Sequence, residues 1–563
     1  MYSSSQAIKP ADAPAFRSSY HHRLREVIQP VLPVIVLLSV FGFLFHNLLS
    51  SHMLFQKADG LYSGGSTWGD LAWHLSMLSN FAQRGWGAVK ENPIFLGKKL
   101  SYPFLPDLLS AWLVRRGISL QASLIWPTWV AILGSVAAIY FLALSITKST
   151  FSALIAPFLF FLNGSIVGSY YLWQDYRNSN LPLLTFLQHL PRDYAHLIDH
   201  NIHFSNIVAD YALPQRASVF GLFLGVIVVQ FLWLYWERSS KTYLFWAGFA
   251  LSLLPLVHFH SFVALAIAAA FLFLIELYQE AANWRSILLS WVAFAAPILA
   301  LALPQTIWIS PDHSAHFFRI QLGWMAGKEP VYLFWLKNLS PHLFVFAMAY
   351  YVARPKLKTF CLAFLALFVV TNIIIFQPHD FDNMKLMLWW FLISCIATAS
   401  LFENLRRRYP QGGLAFSLEL TAALVGTGTA SVYRELHLSW LMFSSEDVGL
   451  AQFVKEHTSK DAIFLTSDKH NNPITCLAGR RIIMGYRGWL WTHGIDYRTR
   501  ERDVFEMYQG SDRASALLNQ YGVDYVLIER DKARDFHENP RFFLRRFPMV
   551  YSSQNFIVLK TSR

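Results

Sequence analysis

A carboxylate and an imidazole stand four residues apart in Gly69-Asp70-Leu71-Ala72-Trp73-His74-Leu75. That spacing puts Asp70 and His74 on one face of a helix, with Leu71, Leu75 and Leu78 as an apolar stripe beside them. The stretch follows the first long apolar segment of the chain, so two titratable groups meet at a membrane surface. Further groups of this kind border later apolar segments: Asp210 and Arg216, His258 and His260, His313 and His316, and His379-Asp380-Phe381-Asp382 with Lys385. Ionisable groups at membrane depth are costly and persist where they line a polar cavity or meet a substrate. The plainer reading of any one of them is an interfacial residue resting in water and headgroups; Asp70 and Lys385, flanked by apolar sequence, fit that reading least.

The elements that must position these groups are membrane spans. The chain has 563 residues, 54% hydrophobic and 16% aromatic, with a mean hydropathy of +0.34, more apolar and less charged than a soluble protein of its length. Its net charge of +12 lies in short clusters between apolar segments, as topology requires, and no compact basic domain points to nucleic acid. Cys361, Cys395 and Cys476 form neither a disulfide framework nor a CxxC metal site. A basic tail over 1–26 precedes an apolar run at 27–49, which lacks a small-residue cleavage site and reads as a retained span. Further spans are predicted near 122–146, 151–172, 217–236, 243–258, 259–277, 286–308, 331–353, 358–377, 386–403 and 413–433, giving about eleven. Lys148, Arg238, Lys241, Arg285, Arg354, Lys356, Lys358 and Arg406 to Arg408 then share the side of the N-terminus, which the positive-inside rule makes cytoplasmic.

The outer loops are the long ones. The first, 51–121, holds amphipathic helices predicted at 68–83 and 104–115; the next, 173–214, is rich in His, Asp and Asn. After Tyr433 the composition becomes that of a soluble α/β domain over 434–563. Helices are predicted at 447–457, 502–509 and 514–521, strands at 462–466 and 523–528, and a closing hairpin at 549–559. The fold class is thus mainly α, a polytopic helical bundle over 27–433 with a C-terminal extracytoplasmic α/β domain. No internal repeat or GxxxxGK[ST] loop is present.

Taken in order, Gly69-Asp70-Leu71-Ala72-Trp73-His74, Leu213-Pro214-Gln215-Arg216, Asp380-Phe381-Asp382-Asn383-Met384-Lys385, Gly485-Tyr486-Arg487-Gly488-Trp489-Leu490, Gly494-Ile495-Asp496-Tyr497 and Tyr521-Gly522-Val523-Asp524-Tyr525-Val526 resemble the GT-C superfamily of membrane glycosyltransferases. The likeness covers essentially the whole chain and is greatest to the bacterial branch related to protein O-mannosyltransferases and aminoarabinose transferases. It implies transfer of a sugar from a polyprenyl-phosphate donor, with inversion, to a glycan, lipid or protein acceptor at the outer face of the bacterial inner membrane. It also implies roles: Asp70 as general base; Arg216 and Lys385 holding the donor phosphate; His74, His258, His260, His379, Asp380 and Asp382 shaping the sugar and acceptor pocket. A divalent cation, Mg or Mn, is compatible with Asp70 and a second acid or His. The chain lacks the adjacent Asp-Glu pair of the protein O-mannosyltransferase first loop and the Trp-Trp-Asp-type motif of oligosaccharyltransferases. Two other classes fit a polytopic chain. A lipid-linked glycan polymerase or ligase would place its large loop late, and a transporter would show inverted repeats and broken helices.

Overall fold

The computed structural model describes residues 15–310, 318–530, 536 and 538–561; His313 and His316, and the tail before residue 15, lie outside them. Among the described residues seven helices are long and apolar enough to cross a membrane: Leu32–His52, Leu120–Thr147, Arg216–Arg238, Phe259–Gln279, Ala281–Ile309, Asp380–Arg408 and Gly412–Glu435. An eighth crossing is formed if Thr150–Phe161 and Ile166–Ser179, bent by 58° at their junction, act as one. The count of about eleven is therefore not reached by length. The segment predicted at 243–258 is the helix Lys241–Ser252, and that at 358–377 is Pro355–Thr371. That at 331–353 is split into Val331–Leu339 and His342–Val352 around Pro341, which has no N–H to carry a helix through.

The Asp380–Arg408 helix is the axis of the bundle, 94% of its apolar window being buried. Tight glycine contacts bring its neighbours together. A Cβ on Gly428 would lie 2.1 Å from the Asn163 carbonyl oxygen, so the last span closes directly on the bend between the two halves of the broken one. Gly221 likewise leaves room for the His258 side chain, whose Cβ an added Cβ would meet at 2.4 Å. One end of the bundle is basic: Glu237 accepts from Lys148 and Arg354, Lys356 donates to the Glu237 carbonyl, and Arg406 covers the Phe151 ring. The clusters that the sequence places on one side thus meet in space.

At the other end, the helices Leu71–Arg84 and Leu105–Arg115 pack together, and the first of them packs against the C-terminal region. That region holds a five-stranded mixed sheet in the order Arg481–Ile482, Ile463–Leu465, Tyr525–Glu529, Phe556–Lys560, Met549–Ser552. The predicted helices at 447–457 and 514–521 and the closing hairpin are present, while the helix predicted at 502–509 begins earlier, at Arg498. A second sheet ties the region to the first loop: Gly60–Ser63 pairs with Trp440–Ser444, which directly follows the last span.

The seam between the Leu71–Arg84 helix and the C-terminal region is close. Ser79 Oγ donates to the Cys476 carbonyl at 2.7 Å, and the Cys476 thiol donates to the Ala72 carbonyl at 3.3 Å. Gly479 sits at φ +67°, and a Cβ there would lie 2.4 Å from the Ser79 carbonyl oxygen. Gly479→Ala forces both a left-handed alanine and a backbone separation. It is expected to cost on the order of 1–3 kcal/mol and to lower the melting temperature of detergent-purified protein; an unchanged melting curve would show that the seam is loose.

Candidate active site

Asp70 stands at the N-terminal boundary of the Leu71–Arg84 helix, with φ −78° and ψ −27°, and its side chain caps no backbone N–H. Aspartate is favoured at that position because it normally accepts from the second or third amide of the helix. A carboxylate that forgoes this bond is left available to another partner. Protein packs around the carboxyl on every side, yet the residue keeps some solvent-reachable surface, as in the wall of a cavity. Burial raises the Asp70 pKa above its ordinary range. The nearby charges of Lys385, His74 and His379 pull against that rise, and Asp382 adds to it.

Lys385 lies in the first turn of the Met384–Arg408 helix and pairs with Asp382 at 2.9 Å. The turn that carries them is fixed by Asn383, whose amide donates to the Thr371 and Ile374 carbonyls while its oxygen accepts from the Phe376 N–H. His260, at the start of the Phe259–Gln279 helix, bonds Gln377, and its ring lies 5.2 Å from that of His258. His258 Nδ1 meets Ser261 Oγ at 2.7 Å. Three separated stretches, 70–74, 258–261 and 371–385, are therefore brought together: Asp70 lies in the field of Lys385, and His260 bonds Gln377.

Three residues join the site that the sequence did not single out. Tyr102 senses Asp70, Asp107 and Asp382, and burial raises its pKa further. His493, from the C-terminal region, lies 4.7 Å from the Trp73 ring and 4.9 Å from the Tyr102 ring. Burial, with the Lys385 charge, pushes its pKa down to about 3, so it is neutral at pH 7. Asp107 is fully buried and accepts from His74 Nδ1 at 2.9 Å. An acid between Pro106 and Leu108 on an amphipathic helix is the one sequence signal that could have revealed Asp107; nothing in the sequence gives the distance of His493.

Two of the expected site residues are engaged by other protein groups. Arg216 is 1% exposed and spends its guanidinium inside the protein: on Asp107 at 2.8 Å, Thr128 at 2.9 Å, the Pro106 carbonyl at 3.1 Å and Ser110. It holds Asp107, which holds His74, and is not presented to a phosphate. Asp380 is likewise occupied, by Arg319 and by Gln321 at 3.0 Å, and serves the turn rather than the cavity. His379 is exposed, although both Asp70 and Asp382 sense its charge. A second polar group adjoins the site. His196 pairs with Asp210 at 3.3 Å and stacks on Phe381 at 5.4 Å, and Asp193 is raised to about 6 by burial and by Asp210. Among the described residues no group of three or more His, Cys, Asp or Glu side chains is arranged to hold a metal ion.

Arg216→Gln leaves Asp107 buried with its strongest partner gone. It is expected to cost about 3–5 kcal/mol of stability, read as a lowered melting temperature, while any protein that folds keeps its donor affinity. A variant that melts like the parent but binds polyprenyl-phosphate sugar more weakly would return Arg216 to the donor site.

No protein-family model matches the chain, and no curated protein sequence does. Solved structures do. The Archaeoglobus fulgidus oligosaccharyltransferase in its apo form is similar with a TM-score of 0.52 at 11% identity, over 88% of this chain and 69% of that one. The mycobacterial arabinofuranosyltransferase AftD is similar with a TM-score of 0.51 at 13% identity, over 94% of this chain and 41% of that one. ArnT from Cupriavidus metallidurans aligns with a TM-score of 0.46 at 8% identity, over 95% of this chain and 97% of that one. The first two are GT-C glycosyltransferases, and this chain shares their fold.

Proposed function

We propose that this chain is an inverting membrane glycosyltransferase that moves a sugar from a polyprenyl-phosphate donor to an acceptor hydroxyl, with Asp70 as general base. The observation that carries this reading is the carboxyl of Asp70, buried at a helix start without capping it, opposite Lys385. In the reaction the acceptor oxygen attacks the anomeric carbon as its proton passes to Asp70. The bond from that carbon to the phosphate oxygen breaks, and the phosphate leaves as an anion beside Lys385. Its departure on the face opposite to attack gives inversion. Asp382 holds Lys385 in place, the Arg216–Asp107–His74 chain fixes the imidazole next to the base, and His258, His260 and His379 border the sugar pocket. The Archaeoglobus enzyme has been solved with an inhibitory peptide and a dolichol-phosphate, which supports a lipid-phosphate donor. Placing the basic end of the bundle in the cytoplasm of a bacterial inner membrane puts Asp70 and the region 434–563 outside it.

Asp70→Asn keeps the size of the side chain and removes the base. Turnover is expected to fall by roughly 10²–10⁴. Stability at neutral pH is expected to hold or rise, because a carboxyl with a raised pKa is destabilised in its ionised form by the fold. In the parent the base must be ionised, so activity is lost as pH falls through that raised pKa, and the acid limb of kcat/KM lies above the ordinary carboxylate value of about 4. Near-normal turnover in Asp70→Asn would remove Asp70 from catalysis. Lys385→Gln removes the charge facing the phosphate and is expected to weaken donor binding by on the order of 2–5 kcal/mol, with Lys385→Arg milder. An unaltered donor constant in well-folded Lys385→Gln protein would take Lys385 out of the site.

A further inference from the structure

The seam beside Asp70 carries buried polar atoms that the fold leaves unmet. Thr67 Oγ1, Trp73 Nε1, His470 Nε2 and Thr475 Oγ1 are out of solvent, and no described residue hydrogen-bonds them. An unmet buried donor or acceptor is costly to a fold unless a ligand or water satisfies it. Four of them lie on two segments that face each other, 67–73 from the first loop and 470–475 from the C-terminal region.

Aromatic rings run along the same seam. Trp68 and His470 are 4.1 Å apart between ring centres, His470 and Trp489 6.3 Å, Tyr486 and Trp489 5.3 Å, and Trp489 and Trp73 5.7 Å. The row continues through His493 to Tyr102, which senses Asp70. Its outer end is open, Tyr486 being 41% exposed. Burial holds His470 down to about 4, so its ring is neutral at pH 7. The charged neighbours are paired: Arg487 with Asp468 and Glu501, and Lys469 with Asp447.

Apolar ring faces, neutral donors and acceptors, and no unpaired charge describe the complement of a neutral sugar. A pyranose or furanose presents C–H faces to aromatic rings, and its hydroxyls both donate and accept. An anionic headgroup or a charged peptide would find no countercharge here. We infer that the acceptor is a neutral carbohydrate seated on the Trp68–His470–Trp489–Trp73 row, with its attacking hydroxyl at the Asp70 end. This rests on the glycosyl-transfer reading for its orientation, though not for binding itself.

Saturation-transfer NMR on the detergent-purified full chain tests binding without catalysis. The probes are neutral oligosaccharides of hexose, of pentose and of N-acetylhexosamine, with a Ser/Thr-containing hexapeptide for comparison. At least one oligosaccharide is expected to bind, about tenfold more weakly in Trp489→Ala and within a few-fold of the parent in Trp489→Phe, which keeps a ring and guards against misfolding. Binding of the peptide alone, binding of none of the probes, or an oligosaccharide affinity unchanged in Trp489→Ala overturns the inference. A parallel assay of polyprenyl-phosphate-hexose cleavage separates the two readings: carbohydrate binding without cleavage would sink the transferase and leave the sugar site standing.

Discussion

Two carboxylates on neighbouring helices meet opposite fates, and the end of the molecule away from its basic cluster is organised by that difference. Asp107 is fully buried and fully answered: Arg216 faces one oxygen and His74 the other. A buried charge left unpaired would cost several kcal/mol, so Arg216, itself held by Thr128 and Ser110, is committed to Asp107. Asp70 receives no such answer. It sits where a helix would welcome a cap and makes none, and the charge of Lys385 reaches it only across space. The first acid fixes the scaffold, and the second is held ready by it.

The same region explains why the first loop and the end of the chain must meet. The Leu71–Arg84 helix has bundle on one flank and the 472–480 segment on the other, joined by Ser79, Cys476 and the glycine contact at Gly479. The strand Trp440–Ser444 adds to the hairpin at Gly60–Ser63 as soon as the last span ends. Residues some four hundred positions apart are thereby in direct contact. The C-terminal region is not an appendage to the bundle; through His493 and Trp489 it supplies part of the lining around Asp70.

How much of this could be read beforehand follows from what kind of signal each feature leaves. Helices at 71–84 and 105–115, the basic end and the α/β pattern after Tyr433 leave periodicity and charge, which are local, and the structure has them. Span count is less legible, because a buried apolar run such as 331–353 carries the same hydropathy whether it crosses intact or breaks at Pro341. Asp70 and Lys385 stand out as charges among apolar neighbours, and the structure sets each in the other's field. Arg216 stood out for the same reason and is bonded inside the protein to Asp107, Thr128 and Ser110; sequence shows a charge but not what faces it. His493 lies beyond local signals altogether, because its place depends on how a distant domain docks.

Lys385 links the two halves of the proposed chemistry. Its charge lowers the Asp70 pKa against the rise caused by burial, so in the empty site the lysine helps to keep the base ionised. A donor phosphate arriving at Lys385 brings negative charge that offsets the lysine's field. In the proposed reaction the proton affinity of Asp70 would climb as the donor seats, making the carboxylate a stronger base when an anomeric carbon is in place to be attacked. Without donor the base is weaker, which disfavours idle proton exchange with an acceptor alone. Asp382 tempers this coupling: paired to Lys385 at 2.9 Å, it sets its own negative field at Asp70 against that of the lysine.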